Sequence, residues 1–257
     1  MLSKNRIKFI HSLALKKNRT STGLFVAEGP KLVGDLLGTF ECEYIAASRS
    51  WLDSNARFVR DIKECDEADA EQLHKVSFLE TPQDVVAVFR QPEYDCNPEE
   101  CVKRNLCLAL DDVQNPGNLG TIIRLADWFG IEDVFCSLKT ADVYNPKTVQ
   151  ATMGAMARVR VHYVDLFSLI DALPKDVPVY GTFLDGKYIY ETELKQNGLI
   201  VMGNEGNGIS DGVASLVTDR LYIPNFPPGR NTSESLNVAI ATAVVCSEFR
   251  RRQMPSH

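Results

Sequence analysis

The chain has 257 residues, 44% hydrophobic and 24% charged, which is the composition of a globular protein with room for one large domain or two ordinary ones. No stretch approaches ~18 uninterrupted apolar residues, so no membrane span is expected. The basic N-terminus, MLSKNRIKFIHSLALKKNR, lacks a long apolar core and a small-residue cleavage site, so no signal peptide is expected either. The net charge of −6 argues, taken alone, against a nucleic-acid partner. Its distribution argues the other way. The first nineteen residues hold Lys4, Arg6, Lys8, Lys16, Lys17 and Arg19 with no acid, and Arg250, Arg251 and Arg252 close the chain. A local basic patch can serve as a phosphate footprint on an acidic protein; the competing reading of each cluster is a solvated helix face. The seven cysteines are scattered, with no CxxC and no histidine grouped with them. Neither a zinc site nor a disulfide framework is expected, and free thiols in a reducing cytoplasm are.

In chain order, residues 4–17 read as a helix, Gly23–Gly29 as a short strand and turn, and Lys31–Leu37 as a helix. YIAAS and Asp84–Phe89 follow as strands. This is a small α/β unit. The polar segment Gln91–Asn105, with two prolines, reads as a boundary. Beyond it the alternation is more regular. Leu106–Leu110 is a strand, Asn118–Phe129 a helix, Asp133–Cys136 a strand and Gln150–Met156 helical. Val159–Tyr163, Val177–Phe183, Leu199–Met202 and Leu221–Ile223 are strands, and Leu236–Arg251 is a long helix. Alternating β and α elements imply a parallel sheet covered by helices, and ligands of such sheets sit at the carboxyl ends of the strands.

Three segments follow strands and carry candidate chemistry. In LDDVQNPGNLGTIIRLADWFG, Leu110–Gly130, a strand runs through a glycine-containing loop into a helix, the general architecture of a phosphate or nucleotide site. Gly117 and Gly120 do not make the dinucleotide pattern. Arg124 falls on an otherwise apolar helix and needs an anionic or carbonyl partner; a structural salt bridge and a substrate contact both satisfy that need. In LIVMGNEGNGIS, Leu199–Ser210, three glycines flank Glu205 directly after an apolar strand, which lets backbone approach a ligand closely; a tight turn without a ligand is the alternative. In the third, Leu221–Arg252, a proline-rich loop leads to Ser235-Leu236-Asn237 at the start of the last helix. Ser233 or Ser235 can be read there simply as a helix N-cap. A fourth pattern, GTFLDGKY at Gly181–Tyr188, has P-loop spacing, but Tyr188 stands where a magnesium-binding Ser or Thr belongs and no helix-opening sequence follows.

Taken together and in this order, the three segments resemble motifs 1, 2 and 3 of the SpoU (TrmH-like) family of RNA ribose methyltransferases, over about Leu106 to Arg252. The N-terminal stretches FVAEGPKLVGDLL and TPQDVVAVF more weakly resemble that family's L30-like substrate-binding domain. The resemblance implies an α/β fold with an L30-like RNA-binding domain over residues 1–98 and a SPOUT methyltransferase domain over 105–257. The latter would have a parallel sheet and a C-terminal trefoil knot, a rare exception to unknotted chains. It implies S-adenosylmethionine as cofactor, RNA (rRNA favoured, tRNA second) as substrate, a homodimer, and no metal. The catalytic residues it implies are Asn118, Arg124, Glu205, Ser235 and Asn237. Cofactor contacts fall on Thr182, Gly203, Asn204, Gly206, Ile223, Pro224 and Leu236. A catalytically inactive RNA-binding relative and an RNA base methyltransferase are the alternatives. Two departures from the family pattern stand out: the stretch NFPPGRNTSE before Ser235 is long, and Ala239 stands where many members carry serine.

Overall fold

The computed structural model describes residues 2–227 and 235–253. They form two compact units, Met1–Glu93 with Asp142–Ala157, and Tyr94–Ala141 with Arg158–His257. The ranges expected from sequence are continuous, whereas the first compact unit takes in a segment from the middle of the second.

The first unit begins with α1 (Lys4–Ser12), α2 (Lys16–Thr22), β1 (Leu24–Glu28), α3 (Pro30–Leu36) and β2 (Cys42–Ala47). It continues with α4 (Arg49–Ser54), α5 (Ala56–Val59), β3 (Cys65–Glu67), α6 (Ala70–Val76) and β4 (Val85–Arg90). The single helix expected over 4–17 is two, because Leu13 ends the first and α2 starts afresh at Lys16. The four strands order as β1-β4-β2-β3, with β4 antiparallel to both neighbours and β2 parallel to β3. Arg19 is buried in this unit. Its guanidinium donates to Asp142 Oδ2 (3.0 and 2.5 Å) and to the carbonyls of Leu13 and Ala14 (2.7 and 2.8 Å). That pairing, with Phe25 against Tyr144, explains why the 142–157 segment belongs here. Arg19 is therefore not part of any exposed patch, and Arg6 pairs with Glu64. Lys4, Lys8, Lys16 and Lys17 remain exposed.

The second unit starts with α7 (Pro98–Arg104), inside the segment read from sequence as a linker. It forms because Asn97 caps it, accepting from the N–H groups of Glu99 and Glu100, with Pro98 in the first turn and Lys103 and Arg104 in the last. Then come β5 (Leu106–Leu110), α8 (Pro116–Trp128), β6 (Asp133–Cys136), α9 (Pro146–Thr152, in the first unit), β7 (Arg160–Tyr163) and α10 (Leu166–Asp171). The unit ends with β8 (Val179–Tyr188), β9 (Gly198–Met202), α11 (Asp211–Ala214), β10 (Asp219–Tyr222) and α12 (Val238–Arg251). The six strands are all parallel in the order β10-β8-β9-β5-β6-β7, as the alternating pattern implied. β5 lies between β9 and β6, so the chain leaves it on one side and returns on the other. The crevice at the carboxyl ends of β5 and β9 is a topological switch point.

The P-loop spacing at Gly181–Tyr188 lies inside β8, whose pairing with β10 shifts register between Arg220 and Leu221. A bulged strand with no following helix offers no phosphate cradle. Residues 228–234, between β10 and α12, lie outside the described residues, and with them Ser233, most of the long loop and the threading that the trefoil expectation concerns. The C-terminal arginines are structural. Arg250 donates to the carbonyls of Phe129 and Gly130 at the end of α8 (2.6 and 3.0 Å), and Arg251 and Arg252 both pair with the buried Glu248.

At the start of β6 the buried Asp133 accepts two bonds from Arg160 (2.8 and 2.7 Å) and one from His162 Nε2 (2.9 Å). Burial pushes its carboxyl up, but these hydrogen bonds and charges prevail and hold it well below the usual carboxylate range. The associated stability is therefore complete above the ordinary carboxylate pKa of ~3.9 and is lost as pH falls below it. Asp133→Asn is expected to cost about 2–3 kcal/mol near neutral pH, with the gap to wild type shrinking below about pH 4. Melting curves from pH 7 to 3 check this, and a gap that does not change with pH would rule the charge pair out as its source.

Candidate active site

α8 starts where it does because Asn115 Oδ1 accepts from the N–H groups of Gly117 and Asn118 (2.8 and 3.1 Å) and Pro116 occupies the first turn. Leu119, Ile122, Ile123 and Ala126 bury its inner face. Asn118 is carried at its N-terminal end, beside the loop that follows β9.

That loop folds back on itself. Asn204 and Gly208 exchange backbone hydrogen bonds (2.8 and 3.0 Å), and Asn204 Oδ1 accepts from the N–H groups of Gly206 and Asn207 (2.8 and 3.1 Å). Gly208 takes φ +69°. A Cβ on Gly203 would lie 2.2 Å from the carbonyl carbon of Gly208, so the close return of the chain demands glycine. Behind it, the buried Asp111 carboxylate accepts from Ser210 N–H at 2.8 Å.

The third segment joins them through α12. Asn237, not Ser235, is its N-cap: Oδ1 accepts from the N–H groups of Ala239 and Ile240 (3.0 and 3.3 Å). Its Nδ2 donates to Asn118 Oδ1 (3.1 Å), and Asn118 Nδ2 donates to Glu205 Oε1 (2.9 Å). One residue from each segment thus enters a continuous hydrogen-bonded chain, Asn237 to Asn118 to Glu205.

Beside this chain opens a cavity of about 480 Å³, lined by Thr182–Leu184 in the bulge of β8, the loop after β9, the end of β10 and the residues around the start of α12. Thr182, Gly203, Asn204, Gly206, Ile223 and Leu236, expected to bind cofactor, all line it, as do Glu205 and Ser235. Pro224 does not. Sequence reading missed the apolar walls, Ile209, Leu221 and Val238, and Phe183 in the bulge of β8; only their positions next to the strand ends could have signalled them. The volume is that of a small-molecule site. Apolar walls with exposed backbone edges suit a flat ring carrying polar groups, so the residues present fit an adenosine-bearing cofactor.

Arg124 stands apart. It is exposed on α8, six residues or about 9 Å along the axis from Asn118, and has no hydrogen-bond or ion-pair partner among the described residues. The salt-bridge explanation is thereby removed, leaving a guanidinium available to a bound molecule.

Elsewhere, Cys96 Sγ, Cys101 Sγ and an Asp133 oxygen lie within 4.8 Å of one another, a grouping that the scattered cysteines gave no sign of. Both Asp133 oxygens are already engaged by Arg160 and His162. Burial pushes the Cys96 thiol up to about 12. No helix among the described residues is long and apolar enough to cross a membrane.

A parallel sheet with a glycine loop, an asparagine network and a cavity beside β8, β9 and β10 suits an enzyme that binds a nucleotide-bearing cofactor. Residues 105–247 match the SpoU rRNA Methylase family and residues 4–87 the MRM3-like substrate binding domain; the chain belongs to the SpoU rRNA methylase family. It is 32% identical over 250 residues to the 23S rRNA (guanosine(2553)-2'-O)-methyltransferase RlmP of Bacillus subtilis, covering 95% of this chain and 96% of that protein. Among solved structures, a putative RNA methyltransferase of the TrmH family from Porphyromonas gingivalis superposes with a TM-score of 0.85 at 42% identity, covering 98% of this chain and 99% of that one. The AdoMet-bound rRNA methyltransferase of Sinorhizobium meliloti gives 0.84 at 29% identity, with 99% and 97% covered.

Gly203→Ala is expected to weaken cofactor binding at least tenfold, because the added methyl must displace the backbone that forms the cavity wall. Titration calorimetry with S-adenosylmethionine checks it. Unchanged affinity would mean the wall does not touch the cofactor.

Proposed function

We propose that this protein transfers a methyl group from S-adenosylmethionine to a ribose 2′-hydroxyl of ribosomal RNA. The observation that carries the reading is that residues of three separate motifs join in one hydrogen-bonded chain ending at the cavity wall, with an arginine unpaired among the described residues on the same helix as Asn118. The ribosomal substrate is taken from the RlmP relative and from the substrate-binding match of residues 4–87.

The cofactor supplies an activated methyl on a sulfonium; the protein supplies alignment and electrostatics. The backbone of the Gly203–Gly208 loop, Thr182 and Leu236 hold it. Guanidinium groups do not serve as bases near neutral pH, so as the methyl–oxygen bond forms and the methyl–sulfur bond breaks the hydroxyl proton leaves to water rather than to Arg124. Arg124 anchors the neighbouring phosphate and stabilises negative charge that develops on the 2′-oxygen. Asn118 and Asn237 fix Glu205 at the cavity rim, where the carboxylate oxygen not held by Asn118 remains an acceptor, and Ser235 offers a hydroxyl at the same rim. The exposed Lys4, Lys8, Lys16 and Lys17 supply phosphate contacts, so RNA affinity falls with salt. The knot expected of the fold keeps the cofactor loops together.

A homodimer belongs to the same reading. Leu236 and Ile240, at the start of α12, are 50% and 55% exposed, an apolar surface suited to a second copy. Ile240→Glu is expected to halve the mass in sedimentation equilibrium; a monomeric wild type would refute the dimer. By analogy with the bacterial relative RlmP, we propose the cytoplasm as its compartment.

Arg124→Ala is expected to lower transfer at least a hundredfold, and Arg124→Lys less, with S-adenosylmethionine affinity within about twofold of wild type. The assay follows labelled methyl from the cofactor into ribosomal and transfer RNA pools digested to nucleosides. Label in a 2′-O-methylnucleoside of the ribosomal pool supports the reading. Label in a base, or normal turnover by Arg124→Ala, overturns it.

A further inference from the structure

Asp112 lies two residues past the end of β5 and takes φ +59°, a left-handed conformation that aspartate tolerates better than most side chains but still resists. Such a residue persists only where its surroundings hold it. Ser137, just beyond β6, does the holding. Asp112 N–H donates to Ser137 Oγ at 2.9 Å, and the Ser137 hydroxyl donates to Asp112 Oδ1 at 2.6 Å. Ser137 is itself tied back by its N–H to the carbonyl of Leu110 at 3.0 Å.

The turned backbone has one evident product. It aims the Asp112 carbonyl at Asn204 Nδ2, 2.7 Å away. With Nδ2 held from that side, Asn204 Oδ1 faces the N–H groups of Gly206 and Asn207 and closes the loop that walls the cavity. Asp112 and Ser137 do not line the cavity; they reach it only through Asn204.

We propose that Asp112 and Ser137 are positioning residues for the cofactor, setting the shape of the Gly203–Gly208 wall by fixing the orientation of the Asn204 amide. This rests on the reading of that cavity as the S-adenosylmethionine site. Glycine at 112 accepts the left-handed conformation and keeps the carbonyl aimed, whereas alanine does not. Backbone conformation, rather than the carboxylate, therefore decides cofactor affinity.

The test measures S-adenosylmethionine binding to the full chain by calorimetry, with melting temperature followed in parallel. Asp112→Ala is expected to weaken binding about tenfold, the effect of one lost hydrogen bond, and Asp112→Gly to stay within about threefold of wild type. Asn204→Ala, which also removes the bonds from Gly206 and Asn207, should weaken binding at least as much as Asp112→Ala, and the double variant should bind no more weakly than Asn204→Ala alone, because Asp112 acts only through Asn204. Ser137→Ala, a milder change, should weaken binding several-fold and stands in if Asp112→Ala fails to fold. The proposal is overturned if Asp112→Ala binds like wild type, if Asp112→Gly is as impaired as Asp112→Ala, or if the two substitutions add. A wild-type chain that binds no S-adenosylmethionine would instead sink the assignment of the cavity.

Discussion

The arrangement of the site depends on the direction of one hydrogen-bonded chain. An amide side chain is ambiguous until its neighbours fix which end donates. Here the helix settles it. The first N–H groups of α12 need an acceptor, so Asn237 Oδ1 must face them. Its Nδ2 is then directed at Asn118, whose Oδ1 accepts and whose Nδ2 is left to face Glu205. The end of the chain must be an acceptor, which the Glu205 carboxyl oxygen is. A capping requirement thus propagates through two amides to fix a carboxylate at the cavity rim. It also ties the starts of α8 and α12, two helices packed against each other, to the glycine loop.

The arginines show what sequence can and cannot distinguish. Arg19, Arg160, Arg250, Arg251 and Arg252 all carry the same side chain as Arg124, and several sit in more conspicuous clusters. Each is spent on structure: a buried pair with Asp142, a clamp on Asp133, a cap on the end of α8, or a pair with Glu248. Arg124 has no such partner among the described residues. A guanidinium that no described residue engages, on a helix whose first turn enters the site, is available to a phosphate.

Much of this was legible in the sequence, for identifiable reasons. The strands of the second unit are apolar runs ending in polar, glycine-bearing loops, and a parallel sheet puts those loops on one edge. That pattern puts the three segments on one edge; their union into one site comes from their resemblance to the three SpoU motifs. What was not legible depends on partners distant in sequence. α7 lies in the segment that reads as a boundary because it is polar and holds two prolines, although Asn-Pro-Glu-Glu is also a sound helix start. The membership of residues 142–157 in the first unit hangs on the Arg19–Asp142 pair, 123 positions apart. Ser235 looked like a cap because it precedes the last helix, but the capping falls two residues later. The left-handed Asp112 has no sequence signature, since aspartate is ordinary at the end of a strand.

The overall charge is the weakest guide of all. A net charge of −6 is an average over a chain in which a good part of the acids are paired internally. Asp133, Asp142 and Glu248 neutralise arginines, and Glu41, Glu43, Glu64 and Glu71 pair with Arg90, Arg6 and lysines of their own unit. Among the described residues the exposed basic groups without an ion pair include the lysines of α1 and α2 and Arg124, beside others such as Arg60, Lys103, Lys147, Lys175 and Lys187. Screening confines the field of each to about 8–10 Å at physiological salt. A polyanion approaching those helices meets that local field rather than the average of the molecule. An acidic protein is for this reason no worse placed to bind RNA than a basic one, provided that its acids are paired and its surviving cations lie where the backbone of the nucleic acid has to pass.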